Sequence, residues 1–156
     1  MSYSFAFTLH LLSAVIWVGG MFFAHMILRP CAVEKLEPPM RLPLWVAIFG
    51  RFFFWVWLAV ITLLVTGYWM IFDVFGGFAG LTAHYIKAMH IIGLIMSGIY
   101  AYIFFIPYQK LKTAVADKEF PTGGALMNRI RQLVTTNLVL GLLTIAIASG
   151  GKYINL

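Results

Sequence analysis

The chain has 156 residues, of which 62% are hydrophobic and 10% are charged, and its mean hydropathy is +0.93. A soluble globular domain carries about 25% charged residues, so this composition excludes that class and indicates an integral membrane protein with the lipid bilayer as its first partner. The net charge of +6 comes from basic residues beside two predicted loops, and it gives no indication of a nucleic-acid partner.

Four apolar runs, at residues 4–28, 44–72, 83–107 and 128–150, are long enough for helices that cross a bilayer, which need about 20 residues. The first run lacks a basic leader and a small-residue cleavage site, so we expect it to remain as the first helix. Short connections between successive spans favour antiparallel neighbours. The sequence therefore predicts one all-α domain, 1–156, an integral membrane four-helix bundle with up-down-up-down topology.

The basic residues predict the orientation of this bundle. Nine of the eleven Lys and Arg residues flank the first and third connections, namely Arg29, Lys35, Arg41, Arg51, Lys110, Lys112, Lys118, Arg129 and Arg131. The second connection, near residues 73–83, has none. By the positive-inside rule the first and third connections are cytoplasmic, which places both termini, Met1 and Leu156, on the periplasmic side of a bacterial inner membrane.

All four histidines lie in the apolar runs, and an ionisable residue inside a membrane suggests a functional site. His10 and His90 each lie about seven residues, or about 10 Å, into helices that run in the same direction, so they share one depth. Two imidazoles at one depth on facing helices are what bis-histidine ligation of haem b requires. The sequence predicts His10 and His90 as axial ligands, with His84 as an alternative ligand. The alternative is that each imidazole simply bonds a neighbouring helix, at about 1 kcal/mol.

The neighbours of the two histidines favour a bound macrocycle. Trp17 shares the helical face of His10, and the small residues Gly93, Ser97 and Ala101 share the face of His90, where they leave space or form a packing stripe. Lys87 lies nearer the outer surface than His90. Its ammonium can pair with a haem propionate or snorkel to the interface.

His25 lies fifteen residues, about 22 Å, beyond His10 toward the cytoplasm, so it belongs to a different site. With Arg29, Arg51 and Arg131 it predicts a proton or quinone-headgroup site, or a plain interfacial hydrogen-bond network. Eight methionines keep copper open as the cofactor, because thioether and imidazole ligands suit Cu(I). The single cysteine, Cys31, excludes an internal disulfide and a cysteine metal cage.

The stretch "LHLLSAVIWVGGMFFAHMILRP", residues 9–30, resembles the first-helix signature of the CopD-like membrane proteins. It is also similar to the HemJ family of protoporphyrinogen oxidases, with which the chain shares His10, Trp17, Gly20 and Arg29, and a third-helix lysine comparable to Lys87. The HemJ resemblance implies a haem-associated, quinone-linked membrane oxidoreductase, and the CopD resemblance implies copper handling.

The residues and the resemblance together predict a b-type haem protein that transfers electrons or acts as an oxidoreductase linked to the quinone pool. Copper binding or transport, and protoporphyrinogen oxidation, are the alternatives. A third alternative is a membrane subunit without catalytic activity, in which the histidines serve only in packing. Each of these functions is compatible with a homo-oligomer.

Overall fold

The computed structural model describes residues 2–78 and 83–151. It contains four long helices: α1 (Tyr3–Lys35), α2 (Pro38–Val74), α3 (His84–Ala116) and α4 (Phe120–Gly150). Each is long and apolar enough to cross a membrane. The described residues contain no strand. The predicted all-α four-helix membrane bundle is confirmed.

The helices extend well beyond the apolar runs at the end of the bundle that carries the first and third connections. At 31 to 37 residues they are about 46–56 Å long. The prolines expected in the first connection lie within helices, because Pro38 and Pro39 occupy the first turn of α2, where no backbone N–H is needed, and Pro43 lies inside the helix. The first connection therefore shrinks to Leu36 and Glu37.

Two π-helical segments interrupt this regularity, Ala24–Leu28 in α1 and Met70–Val74 at the end of α2. Pro30 explains the first, since its ring excludes the carbonyl of the residue four positions earlier and it has no N–H to donate. The helix therefore forms a wider turn here, in which the Arg29 N–H donates to the carbonyl of Ala24, five residues earlier. In α3 the break falls at Ile106, which precedes Pro107 and leaves regular helical geometry.

The four helices form a bundle in which α1 packs chiefly on α2 and α3 packs chiefly on α4. Helices α2 and α4 contact each other across the middle, so α1 and α3 occupy opposite corners. Gly141 permits a close approach, because a Cβ there would lie 2.8 Å from Val18 Cγ2 and 3.2 Å from Met96 Cε. This glycine therefore brings α4 against both α1 and α3.

An aromatic column fills the core between α2 and α3. Phe49 and Phe53 stack with ring centroids 5.1 Å apart, and Tyr100 and Tyr108 pack edge-on against Phe53. The Tyr100 hydroxyl donates to the Phe53 carbonyl at 2.8 Å, and the Tyr108 hydroxyl donates to the Val46 carbonyl at 3.3 Å. Each buried phenol thus finds a partner, as a hydroxyl in an apolar core must.

The connections lie at two opposite ends. The first and third connections, with their nine flanking basic residues, meet at one end, called the basic end below. The opposite end carries the second connection, where Gly76 (φ 71°) and Gly77 (φ 80°) adopt the left-handed conformation that glycine allows. Met1 and Leu156 lie outside the described residues, so the side of the membrane they face remains a prediction.

Candidate functional site

His10 is held in one orientation by helix α2. Its Nδ1 lies 2.8 Å from Thr66 Oγ1, and the Thr66 hydroxyl lies 2.6 Å from the Thr62 carbonyl. A hydroxyl has one proton, which Thr66 donates to Thr62, so its oxygen accepts from His10 Nδ1–H. The network thereby assigns Nδ1 as the donor, and in a neutral imidazole this leaves the Nε2 lone pair available to a ligand.

His10 packs against a buried face of α2. Thr66 is only 2% exposed. The imidazole also lies beside Gly67, where a Cβ would lie 3.4 Å from His10 Cε1, an ordinary contact distance. Met70, one turn beyond Thr66 on the same face of α2, is also buried and carries a thioether.

His90 lies in an aromatic setting. Its half-buried ring packs edge-on against Tyr68, with centroids 5.2 Å apart, and against Phe78 at 5.4 Å. Among the residues that the structure describes, neither ring nitrogen has a hydrogen-bond partner. His90 is therefore positioned by packing rather than by a polar contact.

The two histidines contact neighbouring residues of α2, Thr66 and Tyr68, and so lie at a similar level of the bundle. Successive helical residues are about 100° apart, so residues 66 and 68 point in directions about 160° apart around α2. The two rings therefore contact different sides of α2. His10 fits the role of an axial ligand as it stands, whereas His90 would have to leave its aromatic contacts to share a ligand with it.

The other residues predicted near the haem are dispersed. His84 and Lys87 are exposed in the first turn of α3. Trp17 is 4% exposed and packs edge-on against Tyr100, with centroids 6.1 Å apart, so it belongs to the aromatic core. The structure groups only Lys87 with His90, which follows it by three residues on the same helix.

At the basic end, the structure brings together three of the four residues predicted for a quinone or proton site. His25, Arg29 and Arg131 line a small cavity of about 20 Å³. His25 lies in the π-helical segment, and its Nδ1 is 3.4 Å from Thr135 Oγ1. Arg51 is exposed and is not among the residues that line this cavity.

Sequence reasoning missed two residues, Arg41 in the cleft at the basic end and Thr66 beside His10. Arg41 lines a larger cleft of about 140 Å³ together with Arg29 and Arg131. The apolar run starts at residue 44 and so predicts a loop at Arg41, although the Pro38–Pro39 pair is typical of a helix start. Thr66 was overlooked because a threonine in an apolar run carries no signal until the packing partner of His10 is known.

A conventional metal cage is not present in the described parts of the chain. No three side chains among their His, Cys, Asp and Glu residues lie close enough together to hold an ion. Cys31, the free thiol, is exposed. One further polar group is notable: Asn137, 1% exposed, donates to the Met96 carbonyl at 3.1 Å, while its Oδ1 has no partner among the described residues.

The fold and these sites define a four-helix membrane protein with an oriented histidine toward one end and an arginine-lined cleft at the other. The model of the Copper resistance protein D (CopD) family matches residues 46–150, and the chain belongs to this family. The resemblance to CopD-like proteins is confirmed. The match covers most of α2 and all of α3 and α4, whereas His10 and Arg29 precede it. Searches of curated proteins and of solved structures each found no match.

Proposed function

We propose that the protein binds haem b, with His10 Nε2 as an axial ligand, and transfers electrons. The observation that carries this proposal is the hydrogen bond from His10 Nδ1–H to Thr66, itself anchored on the Thr62 carbonyl. Histidines that ligate a metal through one nitrogen characteristically donate the other N–H to a fixed acceptor, which sets the tautomer and the ring orientation. Thr66 performs this role here without a ligand having to induce it.

Haem suits this arrangement better than a bare ion. The porphyrin supplies four of the iron ligands, so the protein has to provide only one or two axial side chains. The described residues offer single histidines rather than a cluster of three ligands. Haem supplies one-electron redox chemistry when bound, and the protein contributes ligation, orientation and a low-dielectric surrounding.

His90 is the second axial ligand in this proposal, and it lies at a level of α2 similar to that of His10. It has to turn away from Tyr68 and Phe78 to reach the iron, so the two histidines are expected to differ in their effect on binding. Lys87, which is exposed and precedes His90 by three residues, is the proposed partner of a haem propionate. His84 is the replacement ligand if His90 stays packed.

The electron partner that we propose is the quinone pool. The described residues lie almost entirely in helices that can span the bilayer, so a lipid-soluble carrier has direct access to them. The reaction would then be an oxidoreduction between quinone in the membrane and a second electron donor or acceptor. This second partner would act at the end of the bundle opposite the basic end.

The test is an absorption spectrum of the protein purified from haem-replete cells, with and without dithionite. We expect a red protein with sharp α and β bands after reduction. His10→Ala should lose the bound haem, and His25→Ala, at the other end of the bundle, should keep it. His90→Ala should retain haem but lose the low-spin bands. A colourless wild-type protein that contains copper by elemental analysis would contradict the proposal.

Copper is the second candidate, because the family is described as copper resistance protein D and because Met70 lies one turn from Thr66 on the face that holds His10. Imidazole and thioether together suit Cu(I). If copper is bound here, His10→Ala and Met70→Leu should each lower the copper content of the purified protein. Met40→Leu is the matched control, since Met40 is 66% exposed.

A further inference from the structure

We propose that the cleft at the basic end, between α1, α2 and α4, is a binding site for a phosphate group. This arginine cleft is defined by Arg29 of α1, Arg41 of α2 and Arg131 of α4, and its volume is about 140 Å³. A single water needs only about 10–15 Å³, so the space admits a ligand of several heavy atoms. This proposal does not depend on whether haem or copper binds at the opposite end of the bundle.

The three arginines line one cleft and have no ion-pair partner among the described residues. The ion pair there is between Glu34 and Lys35, at 2.7 Å, and both side chains are well exposed. No carboxylate in the described ranges lies within 4 Å of a nitrogen of the three arginines. Three cations around one partly enclosed space repel each other, so an anion bound in the cleft lowers the electrostatic free energy.

Most of the hydrogen-bond donors in the cleft are free to bind that anion. A guanidinium carries five N–H groups. Arg41 uses one on the Leu36 carbonyl at 3.3 Å, and Arg131 uses one on Asn128 Oδ1. The planar fork of arginine matches two oxygens of a phosphate at once.

The charge favours a phosphate over a quinone headgroup. A quinone ring is neutral, and its carbonyls need one or two donors, so it leaves three charges uncompensated. The cleft also has an apolar wall, formed by Val33, Leu42 and Trp45. A polar floor with an apolar wall at the membrane surface fits the phosphate of an anionic lipid, a ligand that basic pockets between transmembrane helices bind. A free phosphate shares the same chemistry, and the experiment separates the two sources.

The experiment measures thermal unfolding of the full-length protein in a neutral detergent. Phosphatidylglycerol, phosphatidylcholine and inorganic phosphate are titrated separately. We expect phosphatidylglycerol to raise Tm and phosphatidylcholine to have no effect. At 100 times its Kd a ligand lowers the unfolded fraction about 100-fold, which for a chain of this size is about 5–10 °C. A rise with inorganic phosphate alone would assign the site to a free phosphate.

Variants locate the effect. Arg29→Gln and Arg131→Gln should each reduce the shift caused by phosphatidylglycerol, and Arg131→Lys, which keeps the charge but loses the fork, should have an intermediate effect. Arg129→Gln is the matched control, because Arg129 is on the same helix but exposed and outside the cleft. It should keep the full shift.

Equal stabilisation of the wild-type protein by phosphatidylglycerol and phosphatidylcholine would overturn the proposal, and this comparison requires no variant to fold. An undiminished shift in Arg29→Gln would do so as well. Stabilisation by a short-chain quinone, with none by either phosphate compound, would assign the cleft to a quinone instead.

Discussion

Replacing Thr66 by valine separates the ligand-orienting role of this residue from its role in folding. Valine keeps nearly the same shape but removes the hydroxyl that accepts from His10 Nδ1–H at 2.8 Å. The imidazole then loses its fixed partner, and its Nε2 no longer has a defined direction. We expect ligand binding to suffer more than stability.

The two effects differ in size. An interhelical hydrogen bond inside a membrane contributes on average about 0.6 kcal/mol, so Thr66→Val should lower the free energy of unfolding by about that amount. Loss of a partner that orients a ligating histidine typically costs 10–100-fold in metal affinity, or about 1.4–2.7 kcal/mol. The expected signature is therefore a nearly unchanged Tm with haem affinity at least tenfold weaker.

The assay is titration of haem into the purified apoprotein, followed by its absorption band, beside a thermal unfolding curve for each variant. Thr66→Ser retains the hydroxyl and should bind haem nearly as tightly as the wild-type protein. Thr144→Val is the matched control, because the Thr144 hydroxyl also donates to a carbonyl one turn earlier, that of Leu140 at 2.8 Å, but contacts no histidine.

Unchanged haem affinity in Thr66→Val would show that His10 does not depend on this hydrogen bond for binding. An equal loss in Thr144→Val would show that any removed hydroxyl disturbs the bundle. Either result would refute the reasoning from the His10 tautomer to ligation.

Three further predictions concern packing, charge and orientation. Gly141→Ala should lower the free energy of unfolding by about 1–3 kcal/mol, because its Cβ meets neighbours at 2.8 and 3.2 Å, whereas Gly98→Ala meets nothing within 4 Å and should be neutral in thermal unfolding. Lys87→Met should lower the haem reduction potential by tens of millivolts in a redox titration, since a nearby cation disfavours the more positive ferric iron and 59 mV is a tenfold change; an unchanged potential would place the lysine outside the haem site. In a chain without its native cysteine, an impermeant thiol reagent should label a cysteine at Ser2 in spheroplasts but not one at Lys112, and the reverse pattern would invert the proposed orientation.

The helical framework could be predicted from the sequence because apolar length is a direct physical requirement for crossing a bilayer. The ends of the helices could not be predicted from the sequence. Hydropathy shows where the apolar surface ends, whereas the helical backbone continues beyond that point. The Pro38–Pro39 start of α2 and the continuation of α3 to Ala116 lie in this polar margin. Arg41 was separated from the other arginines for this reason alone.

The candidate site shows a second limit. Helical rise placed His10 and His90 at one depth, and both do contact neighbouring residues of α2. Rise carries no information on which corner of the bundle a helix occupies, and only packing shows that the two rings contact different sides of α2. The partner of His10, Thr66, depends on the same information, since many hydroxyl residues could have met that imidazole.

The lengths of the four helices have a consequence for the membranes in which the protein can reside. A hydrocarbon core is about 30 Å thick, and each helix exceeds it by about 16–26 Å. Its backbone hydrogen bonding is interrupted only at Pro43, the π segments and the turn at Ile106 in the described residues. The excess at the basic end bears arginines and lysines on long flexible stems, which can reach the interface from different depths. A thicker or thinner bilayer therefore changes only how much of each helix is immersed. The protein should keep the same internal packing across membranes whose thickness differs by several ångströms.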